Sequence, residues 1–388
     1  MHHARVLGAV FLWAGCATGG DKDPSTTDPT TSEDTEDTAE VPFSWGTIAF
    51  DPDANPPDDI ADLQLIRWTG TDIEYNAGVL PYTLNTPLFS DYATKARAIW
   101  MPDGTTASWS DDSVLDFPVG TVILKTFLVA PDLSDPASPR QIVETRLLIR
   151  GTDEWKAWPY LWRDDGSTAD LHVSGKVFDY TFTDPRGASR TAHYLVPQRN
   201  QCVDCHETYT TEGERILRPL GPEGWLMHDG SVLEALVADG LLTGAPDLGT
   251  VTPAVDWADI EARGVGALTP EEVDIAARDY LHVNCAHCHS PLGIEGVTSQ
   301  FFLDRATTDP FHLGVCKRPG SAGEGGEDRE FDIVPGDPEQ SILWYRTATE
   351  DVGAMMPDIG RSLAHTTGAE LVWRWIEQME PDDCSSEE

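Results

Sequence analysis

The sequence predicts an α+β chain: an N-terminal antiparallel β-sandwich-like domain followed by a mainly α-helical region. Two observations carry this. Between residues 45 and 196, short runs rich in β-branched and aromatic residues alternate with turn signals. Beyond residue 197, capped segments with apolar residues at i, i+3, i+4 and i+7 take over.

The first residues read as a targeting segment. Arg5 precedes a brief apolar run, VLGAVFLW at 6–13, which is too short for a fixed membrane helix. Ala14, Gly15 and Cys16 follow. This arrangement resembles the lipobox of bacterial lipoproteins, whose cysteine is lipidated after cleavage, although Trp13 stands where that pattern prefers Leu. An ordinary secretory signal is the other reading, and both mean export. Residues 16–44 are Thr, Asp, Glu and Pro with little apolar content, so they are expected to be a disordered acidic tether. The expected divisions are thus 1–15 signal peptide, 16–44 tether, 45–196 β-rich domain, 197–267 and 268–380.

The 388 residues are 40% hydrophobic, enough for sizeable cores, and carry 26 basic against 66 acidic side chains, a formal net charge of −40. Nucleic acid is excluded as a partner, because its phosphates would be repelled.

Expected strands are TVILKTFLV (121–129), QIVETRLLIR (141–150), KAWPYLW (156–162), KVFDYTFT (176–183) and RTAHYLV (190–196). A short helix is expected in 231–244, with Val232, Leu233, Leu236, Val237 and Leu241 on one side. The next helix opens on Thr269, Pro270 and Glu272, a capping box with proline at the first position. Val273, Ala276, Ala277, Tyr280 and Leu281 form its apolar stripe. Asp337 and Pro338 start another helix. Thr367 with Glu370 reads as a second capping box, before the face Leu371, Val372, Trp375, Ile376 and Met379. The Gly-rich stretch 319–326 lacks the features of a phosphate loop and reads as a flexible insertion.

Two motifs carry the chemistry. CVDCH occupies 202–206 and CAHCH occupies 285–289. In each, two thiols two residues apart can form thioethers to the vinyl groups of one porphyrin. The adjacent imidazole then falls under the iron as proximal ligand. Zinc fits less well: 79 residues separate Cys205 from Cys285, against 15–20 in zinc sites, and both histidines would go unexplained. A thioredoxin-like pair needs a βαβ context that is missing. The expectation is two covalent haem c groups, held by Cys202, Cys205 and His206 and by Cys285, Cys288 and His289. Of seven cysteines, Cys316 and Cys384 remain, as one disulfide or as two buried thiols.

Downstream, GAMMPDIG supplies Met355 and Met356. Helix, Cys-x-x-Cys-His, Met-Pro loop and final helix together resemble a class I cytochrome c. That plan implies Met356 as the distal ligand of the second haem, Met355 as a packing neighbour, and Tyr280 and Trp375 where the two helices cross. For the first haem, Met227, His228, His282 and His193 are open candidates, as is a vacant sixth position. No hydrolase, metalloprotease or nucleotide fingerprint is present, and no catalytic residue is assigned.

Over roughly 85–365 the chain is similar to a largely uncharacterised family of bacterial dihaem c-type cytochromes. The stretches that carry this are TPLFSDYATKARAIWMP, DFPVGTVILKTF, VETRLLIR, YLVPQRNQCVDCHE, YLHVNCAHCHSP, LGVCKRP, DIVPGDPEQSILWYR and MMPDIGRSLAH. The resemblance implies a β-rich region joined to a cytochrome c region with two haems, and His206, His289 and Met356 as iron ligands. Met227 and His228 fall outside the pattern. The expected function is electron transfer between the haems and a partner redox protein, on the periplasmic or outer side of a membrane, with lipid on Cys16 as anchor. A dihaem peroxidase-like or oxidase-like enzyme, reactive at the first haem, is the alternative. A lipoprotein that merely carries haem is a third reading.

Overall fold

A six-stranded antiparallel meander forms the floor of the molecule. Its strands are β1 (Val79–Tyr82), β2 (Thr94–Trp100), β3 (Val122–Val129), β4 (Gln141–Arg150), β5 (Trp155–Trp162) and β6 (Ala169–Leu171), each paired to the next. The computed structural model describes residues 43–111, 113–210, 212–293, 300–320 and 323–385. The expected signal peptide, Cys16 and nearly all of the expected tether lie outside them. From Trp45 onward the chain forms one compact unit.

The strand residues explain both faces. Val122, Leu124, Leu147, Ile149, Trp158 and Tyr160 point one way and pack with Ile60, Leu63 and Leu65 of the preceding segment. The other face has three successive cross-strand rows. The first is apolar: Ile99, Ile123, Leu148 and Ala157, covered by Met227, Leu233 and Leu236. The second is Arg97, Lys125, Arg146 and Pro159. The third holds Lys95, Phe127, Glu144 and Leu161, and Phe127 packs on Tyr194.

A long hairpin, β7 (Lys176–Thr183) and β8 (Ser189–Val196), follows as a separate ladder. The chain is α+β, with its strands antiparallel in every long ladder. Instead of a second large sheet, the remaining ladders among the described residues have two strands each.

After β8 come α1 (Val203–His206), the ladder of β9 (Glu207–Tyr209) with β10 (Arg215–Leu217), α2 (Gly224–Met227), α3 (Val232–Ala238), α4 (Trp257–Arg263), α5 (Pro270–Cys285), α6 (Ile342–Ala348) and α7 (Thr366–Glu377). The capping box of α5 is formed: Thr269 Oγ1 accepts from Glu272 N at 3.3 Å, and Glu272 Oε2 accepts from Thr269 N at 2.7 Å. The α5 stripe of Val273, Ala276, Ala277, Tyr280 and Leu281 is buried against Leu371, Val372, Trp375 and Ile376 of α7. Full burial of each Val, Leu or Ile side chain among them contributes about 1.5–3 kcal/mol, and of each alanine methyl less. Trp375 Nε1 also donates to Asp274 at 2.8 Å.

Two helix starts differ from the sequence reading. Asp337 caps only the 3-10 turn Pro338–Gln340, and α6 follows it. The box at Thr367 and Glu370 does not form. Helix α7 begins at Thr366 behind His365, because Arg186 of the β7–β8 turn takes the Glu370 carboxylate at 2.7 Å. Cys316 and Cys384 are joined as a disulfide.

Sheet and helices are stitched by the β1–β2 loop. Phe89 N donates to Asn284 Oδ1 at 2.9 Å. Asp91 accepts from Ser362 N at 2.7 Å and Leu363 N at 2.8 Å. This seam ties the end of α5 and the segment before α7 to the β1–β2 loop of the sheet.

Candidate functional site

The first Cys-x-x-Cys-His motif is a single helical turn laid directly after β8. A capping box between Gln198 and Gln201 starts the turn, and α1 closes it. His206 is oriented by the β9–β10 ladder. Its Nδ1 lies 2.8 Å from the Arg218 carbonyl, while Arg218 N donates to the His206 carbonyl at 2.9 Å. A carbonyl partner requires the proton on Nδ1, which leaves the Nε2 lone pair free to bind a metal. Burial holds the His206 pKa down at about 4, so the imidazole is neutral.

The second motif starts on the last residue of α5, Cys285, and the rest of it turns away from the helix end. Cys288 N and His289 N both donate to the Cys285 carbonyl, at 3.1 and 2.9 Å. Burial depresses His289 to about 4. Its ring meets Phe301 edge-on, with centroids 5.2 Å apart. The Phe301 backbone is near enough to favour the protonated ring, but Nδ1 has no well-placed hydrogen-bond partner.

The two motifs touch. Cys288 Sγ lies 3.8 Å from the Asp204 carbonyl oxygen. Just beyond them, Thr208 Oγ1 and Tyr209 N both donate to the Leu292 carbonyl, at 2.7 and 3.2 Å.

Three cavities surround this junction, of about 840, 80 and 90 Å³, and Lys125 and Leu220 line all of them. Cys205 and His206 line both small ones. Met356 lines the 80 Å³ cavity together with His206 and His287; His289 is not among the residues lining it. The Met356 backbone is fixed at both ends: its N donates to the Arg346 carbonyl at 2.8 Å, and its carbonyl accepts from Arg361 Nε at 3.1 Å. Met355 is buried beside it.

The other candidates for the first site are otherwise engaged. Met227 is fully buried in the apolar cluster over the sheet. His228 Nδ1 meets Glu234 at 2.5 Å, and His193 Nδ1 meets Asp179 at 2.6 Å. His282 Nδ1 accepts from Arg305 N at 3.0 Å, and its Nε2 faces Glu223 at 3.4 Å, so neither nitrogen is spare. None of the four lines a cavity that His206 lines.

No family model, curated protein or solved structure matches the chain. The chemistry of the donor set therefore has to decide what the site can hold. Cys202, Cys205, Cys285 and Cys288 are all free thiols, although the same chain forms a disulfide elsewhere. Burial raises the pKa of each, Cys205 to about 11 and Cys285 and Cys288 to about 12, the opposite of a redox-active thiolate. The motif ligands do not converge into a zinc-sized cage. Among the described residues, the one group of three metal-capable atoms within 4.8 Å is Cys316, Asp382 and Cys384, two of which are bonded to each other. Two separate sets of two thiols and one imidazole fit two separate covalent haems.

Two features escaped the sequence reading. His287, inside the second motif, is 8% exposed with no partner for Nδ1, and it lines the 840 and 80 Å³ cavities. Burial, with His206 next among its neighbours, pushes its pKa to about 3. The other is the cation row. Arg146 is held bidentately by Glu144 at 2.9 and 2.6 Å, and Tyr194 also donates to Glu144 at 2.7 Å. Burial, then Arg97 and Arg146, lower Lys125 to about 7.

Proposed function

We propose that this chain is an exported dihaem c-type cytochrome, passing electrons between two covalently held haems and a partner redox protein. The observation that carries the reading is the contact between the two motifs at Cys288 and Asp204, which joins two complete thiol–thiol–imidazole sets across a long sequence separation. Bound haem would supply one-electron chemistry at iron. The chain's own work is attachment, orientation and shielding. Cys202 and Cys205, and Cys285 and Cys288, provide the thioether sulfurs. His206 and His289 provide the proximal nitrogens, and the Arg218 carbonyl fixes the first of these rings. His287 and Met356 both line the cavity that His206 lines, so either would offer a donor atom to a haem held there. The crossing of α5 and α7, through the buried packing of Tyr280 and Trp375, supports the class I cytochrome c plan around the second motif, whereas Met356, expected beside His289, lines the cavity of His206 instead.

Export and lipid anchoring at Cys16 rest on the sequence of the first residues alone. Among the described residues no helix is long and apolar enough to cross a membrane.

The peroxidase-like alternative draws on the 840 Å³ cavity, which has room for a small substrate beside His287. Peroxide separates the two readings. A carrier gives low-spin spectra that peroxide and cyanide leave unchanged; an enzyme shows a high-spin haem that responds and turns over a donor.

The direct test is a pyridine haemochrome assay and intact mass on the full chain from a host able to mature c-type cytochromes. Two haems are expected, one lost in Cys202→Ala/Cys205→Ala and the other in Cys285→Ala/Cys288→Ala. A colourless or zinc-bearing product would overturn the proposal.

A further inference from the structure

The sheet carries charges that its own fold leaves unbalanced. Arg97, Lys125 and Arg146 stand directly opposite one another on β2, β3 and β4. Like charges in opposed positions repel, and withdrawing each from water adds to the cost. A chain with 66 acidic residues has ample carboxylates to set against them. It sets Glu144 against Arg146 alone. Arg97 is 7% exposed, and among the described residues neither its side chain nor that of Lys125 has an ion pair or hydrogen bond; Lys125 rests 5.3 Å from the Phe127 ring. All three cations line the cavity that Cys202, Cys205 and His206 also line.

The row has a direction. Arg146 lines only the two small cavities, which Cys205 lines too, whereas Lys125 and Arg97 also line the 840 Å³ cavity, which none of the four motif cysteines lines. Arg97 stands two strand spacings from Arg146, about 10 Å, and reaches the 840 Å³ cavity. We infer that the row is a carboxylate-binding floor, on which Arg97 and Lys125 take the propionates of the haem held by Cys202 and Cys205. This rests on the dihaem reading. A porphyrin carries its vinyl-derived and propionate substituents at opposite edges, and the row runs in that sense, from the thiols at Arg146 toward Arg97. The anion would supply the partner that Arg97 and Lys125 lack, and a charge-assisted, bidentate contact is what a guanidinium offers a carboxylate.

The experiment is redox titration and resonance Raman spectroscopy of the full-length dihaem protein, wild type against Arg97→Gln, Lys125→Met and Lys125→Arg. Neither cation is paired with a carboxylate of the chain, so its removal strands no acidic side chain, and circular dichroism checks the fold. The expected result is a lower midpoint potential for one haem in Arg97→Gln and Lys125→Met, since less positive charge favours the oxidised iron. The other haem stays unchanged, the propionate bending bands shift, and Lys125→Arg restores both readouts toward wild type. Two attached haems with potentials and propionate bands unaltered in every variant would overturn the inference. So would a wild-type potential that moves with added inorganic phosphate while the propionate bands ignore the substitutions, because the row would then serve a free anion. Loss of the dihaem reading itself is distinguished by mass: the wild-type chain would then lack haem at Cys202 and Cys205.

Discussion

Thr208 Oγ1 donates to the Leu292 carbonyl at 2.7 Å, joining the residue two past the first motif to the residue three past the second. The same carbonyl accepts from Tyr209 N, so removing the hydroxyl strands no buried acceptor. Thr208→Val is therefore expected to cost about 1 kcal/mol, the net value of one hydrogen bond. Thr208→Ser should cost less, since it keeps the donor. Chemical denaturation of the full-length protein measures both. An unchanged midpoint in Thr208→Val would mean that the bond does not hold the motifs together.

Gly368 shows how tightly α5 and α7 cross. A Cβ there would stand 2.2 Å from Tyr280 Cζ and 2.3 Å from its hydroxyl oxygen. Gly368→Ala must move the ring or separate the helices, and overpacking of this kind costs about 1–3 kcal/mol. Tyr280→Leu in the same chain frees that space, so the double variant should lose less than the two single losses added together. Additive losses in a double-mutant cycle would show that the two residues do not share the strain.

Lys317 and Asp332 form a buried ion pair at 3.2 Å, with side chains 5% and 6% exposed. Burial raises the Asp332 pKa even with the ammonium beside it. Lys317→Met leaves that carboxylate alone in the interior and should cost about 3–5 kcal/mol. Lys317→Met/Asp332→Leu removes both desolvation costs and should recover most of the loss. Equal destabilisation of the single and double variants in urea unfolding would contradict this.

The strands and helices that pack on their own pattern were legible in the sequence. VILKTFLV and QIVETRLLIR became β3 and β4 because continuous apolar runs suit a sheet buried on both faces. The Thr269 box formed because its partners are local. The expected box at Thr367 did not form, since Arg186, distant in sequence, took Glu370. At the site, both motifs were legible as spacing, but their contact was not, because it depends on how α5 docks against the segment after β8. The cation row was hidden for a related reason. Arg97, Lys125 and Arg146 each look like one polar residue in a strand, and only the register aligns them. His287 read as a spacer between two cysteines, and its burial comes from packing beyond the motif.

His365 makes the acid side of the stability profile testable. Its ring stacks on Phe89 with centroids 4.3 Å apart, and Trp257 and Tyr280 close the cage at 5.2 and 5.5 Å. Burial holds its pKa below the ordinary histidine value of 6.5; Glu261, 3.7 Å away and 40% exposed, pulls the other way without overcoming it. A group whose folded pKa is depressed contributes stability that is present above its unfolded pKa and lost as the pH falls toward and through the folded value. The folded protein should therefore lose stability below pH 6.5, by at most about 1.4 kcal/mol per pH unit from this residue. His365→Phe keeps the stacking and removes the proton site. Thermal unfolding of the full-length protein at pH 7.5 and pH 5 should show a smaller drop in the variant than in the wild type. An identical drop would place the acid sensitivity elsewhere in the fold.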